Sequence, residues 1–327
     1  MATMSKSIDA SPVLEQYHVY HAEAHLLSGH LEHPIKQPIE NYGRVLLENT
    51  RRESLFTESV GETNIEGLIS FTAGRTRVMG TQLKNKKDIW GVDHSGWVTQ
   101  STSVIEGLNV ADIVTADRMI AQISTEHPMI NGHVPKVSFL GTRFENLRIA
   151  GYEVKVELNL NFCGNKPQGD RPYLQDDGFL DSVEKQLNSV GDFKKLPEVL
   201  QKRYDAKVAY IDDLRKRANA GANGGGGRTG DAKLQCSLVK SIAPIPGVEI
   251  FGNMLFIPGF GTVSLAEIEV GIGHYDSAFH NNSGDGSTSG KNDSNYFTLH
   301  MLNMHLGCPV GATTQAGTAK SNGQTNP

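Results

Sequence analysis

IEGLNVADIV (105–114) recurs about 39 residues later as FENLRIAGYEV (144–154), with apolar, acidic, small, Leu, apolar and Ala positions in step. The heart of the unit also appears as Leu47-Glu48-Asn49 and as Ile65-Glu66-Gly67-Leu68. An apolar–acidic–Gly/Asn–Leu string suits a strand that turns or bulges at the Gly or Asn and then resumes. The copies stand 18, 40 and 39 residues apart, too uneven for a solenoid, which keeps its period. A large sandwich built from duplicated β units accommodates them better.

Strand texture extends outward from these copies. Between Val19 and Leu160, the runs His18–Ile39, Gly43–Leu47, Gly67–Val78, Trp97–Ile105 and Arg118–Ser124 are rich in Val, Ile, Thr and aromatics and are punctuated by Gly, Asn and Pro. From Tyr152 to Phe162 the alternation predicts one half-buried strand, with Val154, Val156, Leu158 and Leu160 on one face. A polar loop, Asn165 to Gly178, then leads to two helical stretches, Phe179–Val190 and roughly Pro197–Asn219. Acidic residues are interleaved with the basic ones on the second helix, so its charged side reads as a solvated face. GANGGGGRTG (221–230) is a flexible linker; it leads into a strand and lacks the Gly-Lys-Ser/Thr of a phosphate loop.

Strand signals return in Leu234–Val239, in a hairpin turning at Gly252-Asn253, and in Thr262–Val270 and Tyr296–Leu306. Asn281–Asn295 reads as a long polar loop. The tail after Pro309 shows no core residues and is expected to be disordered. The expected fold is therefore mainly β and sandwich-like, built from duplicated β units, with a helical insertion. Its divisions are an N-terminal β region (1–164), the polar loop, helical insertion and linker (165–230), a C-terminal β region completing the sheets (231–308) and the tail (309–327).

The strings SVIEGLNVADIVTAD (103–117) and GTRFENLRIAGYEV (141–154) resemble paired motifs of the bacterial choice-of-anchor P proteins, over about residues 97–160. That resemblance implies a β-rich architecture, often surface-anchored and of unknown function, and carries over no catalytic residue.

Composition narrows the function classes. The formal charge of −5 over 327 residues is too mild for a nucleic-acid partner. No apolar run approaches the roughly 18 residues of a membrane span. Met1 to Tyr20 holds no secretory signal, which predicts a cytoplasmic protein, or a surface or extracellular one if a leader has been removed. Cys163, Cys236 and Cys308 are odd in number and lack a CxxC pair, so they are expected to be ordinary cysteines.

The histidines are the strongest chemical signal. His18, His21, His25, His30 and His33 fall within sixteen residues, and His21, Glu23 and His25 share one face of an extended strand. Imidazole and carboxylate suit a divalent transition metal such as Zn, Fe, Ni or Cu, so these three form the candidate metal set. The competing reading is a solvent-facing polar strand face opposite Ala22, Ala24 and Leu26. His30 and Glu32 offer a second pair if the strand runs past Gly29. His300 and His305 are five apart, on opposite faces of a regular strand, and a shared metal there needs a bulge. Weaker candidates are His274 and His280 near the polar loop, a calcium role for Asp285 and Asp293, and a sugar-stacking surface of Trp90 and Trp97.

No G-x-S-x-G elbow occurs, and Ser95 after His94 lies in no such context. The expectation is a non-catalytic structural or binding β protein, without a cofactor, that self-associates into homo-oligomers through strand edges. The alternative is a metal-binding protein or metal-dependent enzyme using His21, Glu23 and His25.

Overall fold

A computed structural model of the chain describes residues 17–33, 36–84, 95–129, 134–168, 171–189, 198–222, 232–272, 295–307, 311–321 and 323–326. The chain opens with β1 (Tyr17–Leu31), β2 (Gln37–Tyr42), β3 (Val45–Thr50), β4 (Ser54–Val60), β5 (Thr63–Ile65), β6 (Ile69–Phe71) and β7 (Ala73–Leu83). The long hairpin of β8 (Gly96–Val110) and β9 (Val114–Pro128) follows. Then come the short strands β10 (Lys136–Ser138), β11 (Arg143–Glu145), β12 (Arg148–Ile149), β13 (Tyr152–Glu153) and β14 (Val156–Leu158). Two helices, α1 (Asp177–Asn188) and α2 (Glu198–Ala222), form the expected insertion. After them run β15 (Ala232–Ser237), β16 (Val239–Ile242), β17 (Glu249–Phe251), β18 (Met254–Ile257), β19 (Gly261–Ile272), β20 (Asn295–Leu306), β21 (Ala312–Ser321) and β22 (Gln324–Asn326).

The protein is mainly β, with antiparallel sheets facing one another. The first sheet runs β17-β18-β19-β20-β21-β1-β2, with β15 on β19 and β3 and β22 on β1. The second runs β13-β12-β9-β8-β6-β5, with β7 joining β8 to β4 and with β10 and β11 on β9. β1 lies over β7 and β8, and β21 over β8 and β9. Inward side chains such as Leu26, Phe71, Ile105, Met119, Phe297 and Leu299 are fully buried between the sheets, each contributing about 1.5–3 kcal/mol by leaving water.

The sheets approach closely where small residues allow it. Tyr20 of β1 packs onto Gly80 of β7, where an added Cβ would stand 2.5 Å from the ring. At that end the two sheets are also joined by hydroxyls. Ser101 Oγ donates to the Glu23 carbonyl at 2.6 Å, Ser103 Oγ to the His25 carbonyl at 2.9 Å, and the Thr125 and Ser321 hydroxyls meet at 2.8 Å. These bonds satisfy polar groups that would otherwise be buried at a cost.

The recurring unit marks turns and left-handed kinks of the backbone. In IEGL (65–68), Glu66 and Gly67 take φ of 52° and 67° at the centre of a turn closed by Leu68 N–H on the Ile65 carbonyl, within the three-residue connection of β5 to β6. In IEGL (105–108) Gly107 (φ 62°) takes a left-handed backbone within β8, where the ladder to β9 skips one pair without changing register, and in FENL Asn146 (φ 51°) separates β11 from β12. The copy at Leu47-Glu48-Asn49 stays within β3. The hairpin β12–β13 turns on Ala150 (φ 50°) and Gly151 (φ 83°), a turn whose first position prefers Asn because an alanine Cβ is strained there. Ala150 is exposed, so Ala150→Asn is expected to raise stability by about 0.5–1 kcal/mol. Urea unfolding measures this, and an unchanged or lowered midpoint would contradict the turn assignment.

Two expectations are corrected. The segment Tyr152–Phe162 is not one strand: it breaks at Val154–Lys155, leaving β13 on β12 and sending β14 to β16. The alternation was real, since Val154 is buried and Glu153, Lys155 and Glu157 are exposed. However, the chain leaves one sheet for another midway, and Lys155 gives its carbonyl to Ala243 N–H. The tail after Pro309 is not structureless. β21 is a central strand between β20 and β1, with Ala312, Ala316 and Ala319 buried, and β22 pairs with the start of β1. Its Ala, Thr and Gly residues look too weakly apolar for a core, yet small side chains are what a strand needs where two sheets close on each other.

The helices pack into the same core through Phe179, Leu180, Val183, Ile211 and Leu214. Asp176 caps α1 by accepting from Phe179 N–H at 2.9 Å. Arg215 of α2 ties the helices together through Asp181 and Glu184 of α1. No helix among the described residues is long and apolar enough to cross a membrane. Residues 223–230 of the glycine linker, the polar loop from 281 to 294, His274, His280, Asp285, Asp293, Trp90 and Cys308 lie outside the described residues.

Candidate functional site

Tyr20 and Leu26 point inward, so His21, Glu23 and His25 do share the outward face of β1, as their spacing predicts. They do not stand on a bare strand. His21 is 3% exposed and His25 9%, and Glu23 is largely covered. Glu23 Oε1 accepts from Arg44 Nε at 2.7 Å. Burial alone would raise its carboxyl, but the Arg44 bond and charge, with Lys320 alongside, hold it below the usual range. Burial holds the His25 imidazole down to about 4 and thus neutral. Among the described residues no three His, Cys, Asp or Glu side chains are gathered closely enough to hold a metal. For Glu23 to serve as a ligand it would have to leave Arg44. His30 and Glu32 meet at 3.1 Å at the exposed end of the strand.

A shift in the sheet organises the rest of this face. Leu26, Gly317, Met301 and Ala266 form one row across β1, β21, β20 and β19, and the pairing skips that row in each ladder. Gly317 and Ala266 have φ of 64° and 45°, and the burial alternation changes phase there. In consequence His300 and His305, expected on opposite faces, both turn outward. Each hydrogen-bonds a β21 hydroxyl, His300 Nδ1 to Thr318 at 3.0 Å and His305 Nδ1 to Thr313 at 3.4 Å. They lie five residue pairs apart along the ladder and share no site.

The outward face thus becomes a field of matched polar groups. Glu23 pairs in register with Lys320, Lys233 Nζ lies 3.5 Å from Glu269, and Tyr296 donates to the same carboxylate at 3.3 Å. Asn303 Nδ2 donates to Glu267 at 3.1 Å. Burial raises Glu267 and lowers Lys320, while burial holds His300 down to about 3.

One pair on this face has catalytic geometry. Ser28 Oγ and His25 Nε2 are 3.0 Å apart, the nucleophile–base half of a hydrolytic triad. The other half is missing: His25 Nδ1 has no hydrogen-bond partner among the described residues, and the adjacent Glu23 is engaged by Arg44. An imidazole held near 4 is also too weak a base to activate a hydroxyl at neutral pH. Elsewhere, Trp97 is buried and stacked on His18, whose ring also meets Tyr20 and His127, rather than offering a stacking surface. Cys163 and Cys236 are buried thiols whose ionisation burial pushes upward, Cys236 to about 12.

The edges of the sheets differ in how they are protected. β2 carries Pro38 and Glu40, and β17, β5, β10, β11 and β13 are three residues or fewer. β4 is different. Its seven residues, SLFTESV, pair only with β7 among the described residues, contain no proline and carry a single charge, Glu58. Leu55 is 55% exposed and Phe56 49%, on opposite faces. Sequence reading missed this strand because alternation reports burial of one face, and β4 buries neither.

A family described only as a domain of unknown function (DUF8256) matches residues 18–271, which run from β1 to the end of β19. No curated protein and no solved structure matches the chain.

Proposed function

The chain belongs to the DUF8256 family, whose description names no activity, and we propose for it a non-catalytic binding role in which copies assemble through the edge strand β4. The observation that carries this reading is the outer edge of β4, unpaired among the described residues, with Leu55 and Phe56 exposed on its two faces. An open row of backbone donors and acceptors is a template for a further strand. The sequence of β4 favours a second copy of itself. Antiparallel pairing about a two-fold at Thr57 sets Thr57 on Thr57, Leu55 on Ser59 and Phe56 on Glu58, with no like charges opposed.

Light scattering on a size-exclusion column tests it. A dimer or larger species that dissociates on dilution is expected. Leu55→Lys with Phe56→Lys, both on exposed positions, should yield monomer with little change in melting temperature. A wild-type monomer at every concentration up to high micromolar would refute the assignment, as would a Lys variant that still assembles.

The second reading, a divalent transition metal held by His21, Glu23 and His25, rests on their common face of β1 and on the neutral imidazole of His25. Elemental analysis of untagged protein supports it if one of Zn, Fe, Ni or Cu is stoichiometric, and less than about a tenth of an equivalent removes it.

A further inference from the structure

The outward face of the second sheet holds a half-open cavity of about 320 Å³ lined by Arg75, Arg77, Thr102, Val104, Glu106 and Arg118, with Arg75 and Arg77 exposed at its mouth. Strand register brings these residues together. Gly74, Thr76 and Val78 of β7 face the interior, so Arg75 and Arg77 face out, and they pair across to Val104 and Thr102 of β8. Glu106, two residues on, pairs with Arg118 of β9.

The charges in this cavity do not balance. Glu106 is its one carboxylate and is taken by Arg118 at 3.5 Å, while the shielded Arg118 Nε makes no hydrogen bond. Arg75 and Arg77 form no ion pair among the described residues, and Arg77 Nη2 reaches only the Met79 sulfur at 3.4 Å. Two like charges on neighbouring positions of one sheet face repel, and the fold carries that cost without an internal counter-charge. Guanidinium groups present planar forks of donors that match an oxyanion bidentately. The volume is at the small end of ligand sites and takes a group the size of one sugar ring. Thr102 and the free lone pairs of Glu106 provide partners for hydroxyl groups.

We infer that this cavity binds a small hydroxylated oxyanion, the chemistry shared by sugar phosphates and sugar acids, with Arg75 and Arg77 holding the anionic group. Calorimetry on the full chain with glucose 6-phosphate, galacturonate and neutral glucose tests it. Binding of at least one charged probe, weakening with added salt, and none of glucose are expected; which charged probe binds more tightly distinguishes a phosphate ester from a carboxylate. Arg75→Gln with Arg77→Gln should weaken that binding by about tenfold or more, and Glu106→Gln should tighten it by removing the negative charge. Lys at both arginine positions should restore part of the affinity without the bidentate fork. Failure of both charged probes to bind at millimolar concentration, or unchanged affinity in the Gln pair and in Glu106→Gln, would overturn the inference.

Discussion

Lowering the pH from 7 to 5 is expected to remove most of the folding stability of this protein. His18, His25 and His300 are held neutral by burial, at about 3, about 4 and about 3. His18 is stacked on Trp97 at 5.4 Å and lies 4.6 Å from the His127 ring, with its Nε2 3.4 Å from the Thr99 hydroxyl. His25 faces Glu23, Arg44 and Lys320; His300 faces His25, Lys320 and Thr318.

In the unfolded chain all three imidazoles titrate near 6.5, so below that pH the unfolded state binds protons that the folded state refuses. Their contribution is complete above about pH 6.5 and is lost as pH falls toward the folded values. With three protons involved, the loss approaches about 4 kcal/mol per pH unit. A total of about 5 kcal/mol, the low end for a domain, would be cancelled at about pH 5, and one of about 9 kcal/mol at about pH 4. Glu23, held low in the folded state, adds to the loss further down. Glu267 acts in the opposite sense, since burial raises it and protonation relieves its strain.

Urea unfolding at several pH values between 7.5 and 5 reads the slope directly. His18→Phe and His25→Gln should each lower it by about a third. Stability that stays flat from pH 7 to 5 would show that these histidines are free to charge in the folded protein.

The second large effect is at Gly29. This residue pairs with Ile39 of β2 and with Thr314 of β21, and its φ is 143°, a region that side chains rarely enter. A Cβ there would overlap the Thr313 carbonyl oxygen and come within 2.8 Å of the Thr314 Cα. Both obstacles are backbone of a central strand and cannot swing aside. Gly29→Ala should therefore cost about 3–5 kcal/mol, combining backbone strain with overpacking. Gly61→Ala, which meets nothing within 4 Å, should change stability by no more than about 0.5 kcal/mol. Denaturant midpoints of the two variants decide it. Equal midpoints would mean that the C-terminal strand does not pack beside β1, so the comparison also tests the placement of residues 312–321.

Much of the architecture was legible in local chemistry. The IEGL and FENL strings announced turns and kinks because Gly and Asn are the residues that tolerate a left-handed backbone, and the structure places positive φ at Gly67, Gly107 and Asn146. Both helices were readable from their 3.6-residue periodicity, since one face of each is buried in the core. The shared face of His21, Glu23 and His25 followed from the two-residue period of a strand.

What was not legible depended on partners distant in sequence. Nothing near residue 312 says that an Ala- and Thr-rich tail will lie between β20 and β1; its value is its smallness, which matters only once two sheets meet there. No local signal breaks the alternation at Val154, because the break is caused by two different sheets competing for the same segment. The outward turn of both His300 and His305 needs a skipped row running through four strands at once. Arg75, Arg77 and Arg118 become neighbours only through the registers of β7, β8 and β9. Residue type and spacing determine backbone conformation and which face a side chain takes, because those are interactions within a few residues. Which charges are buried, which edges stay open and which arginines share a cavity are decided by pairings across tens to hundreds of residues, and those exist only in the folded chain.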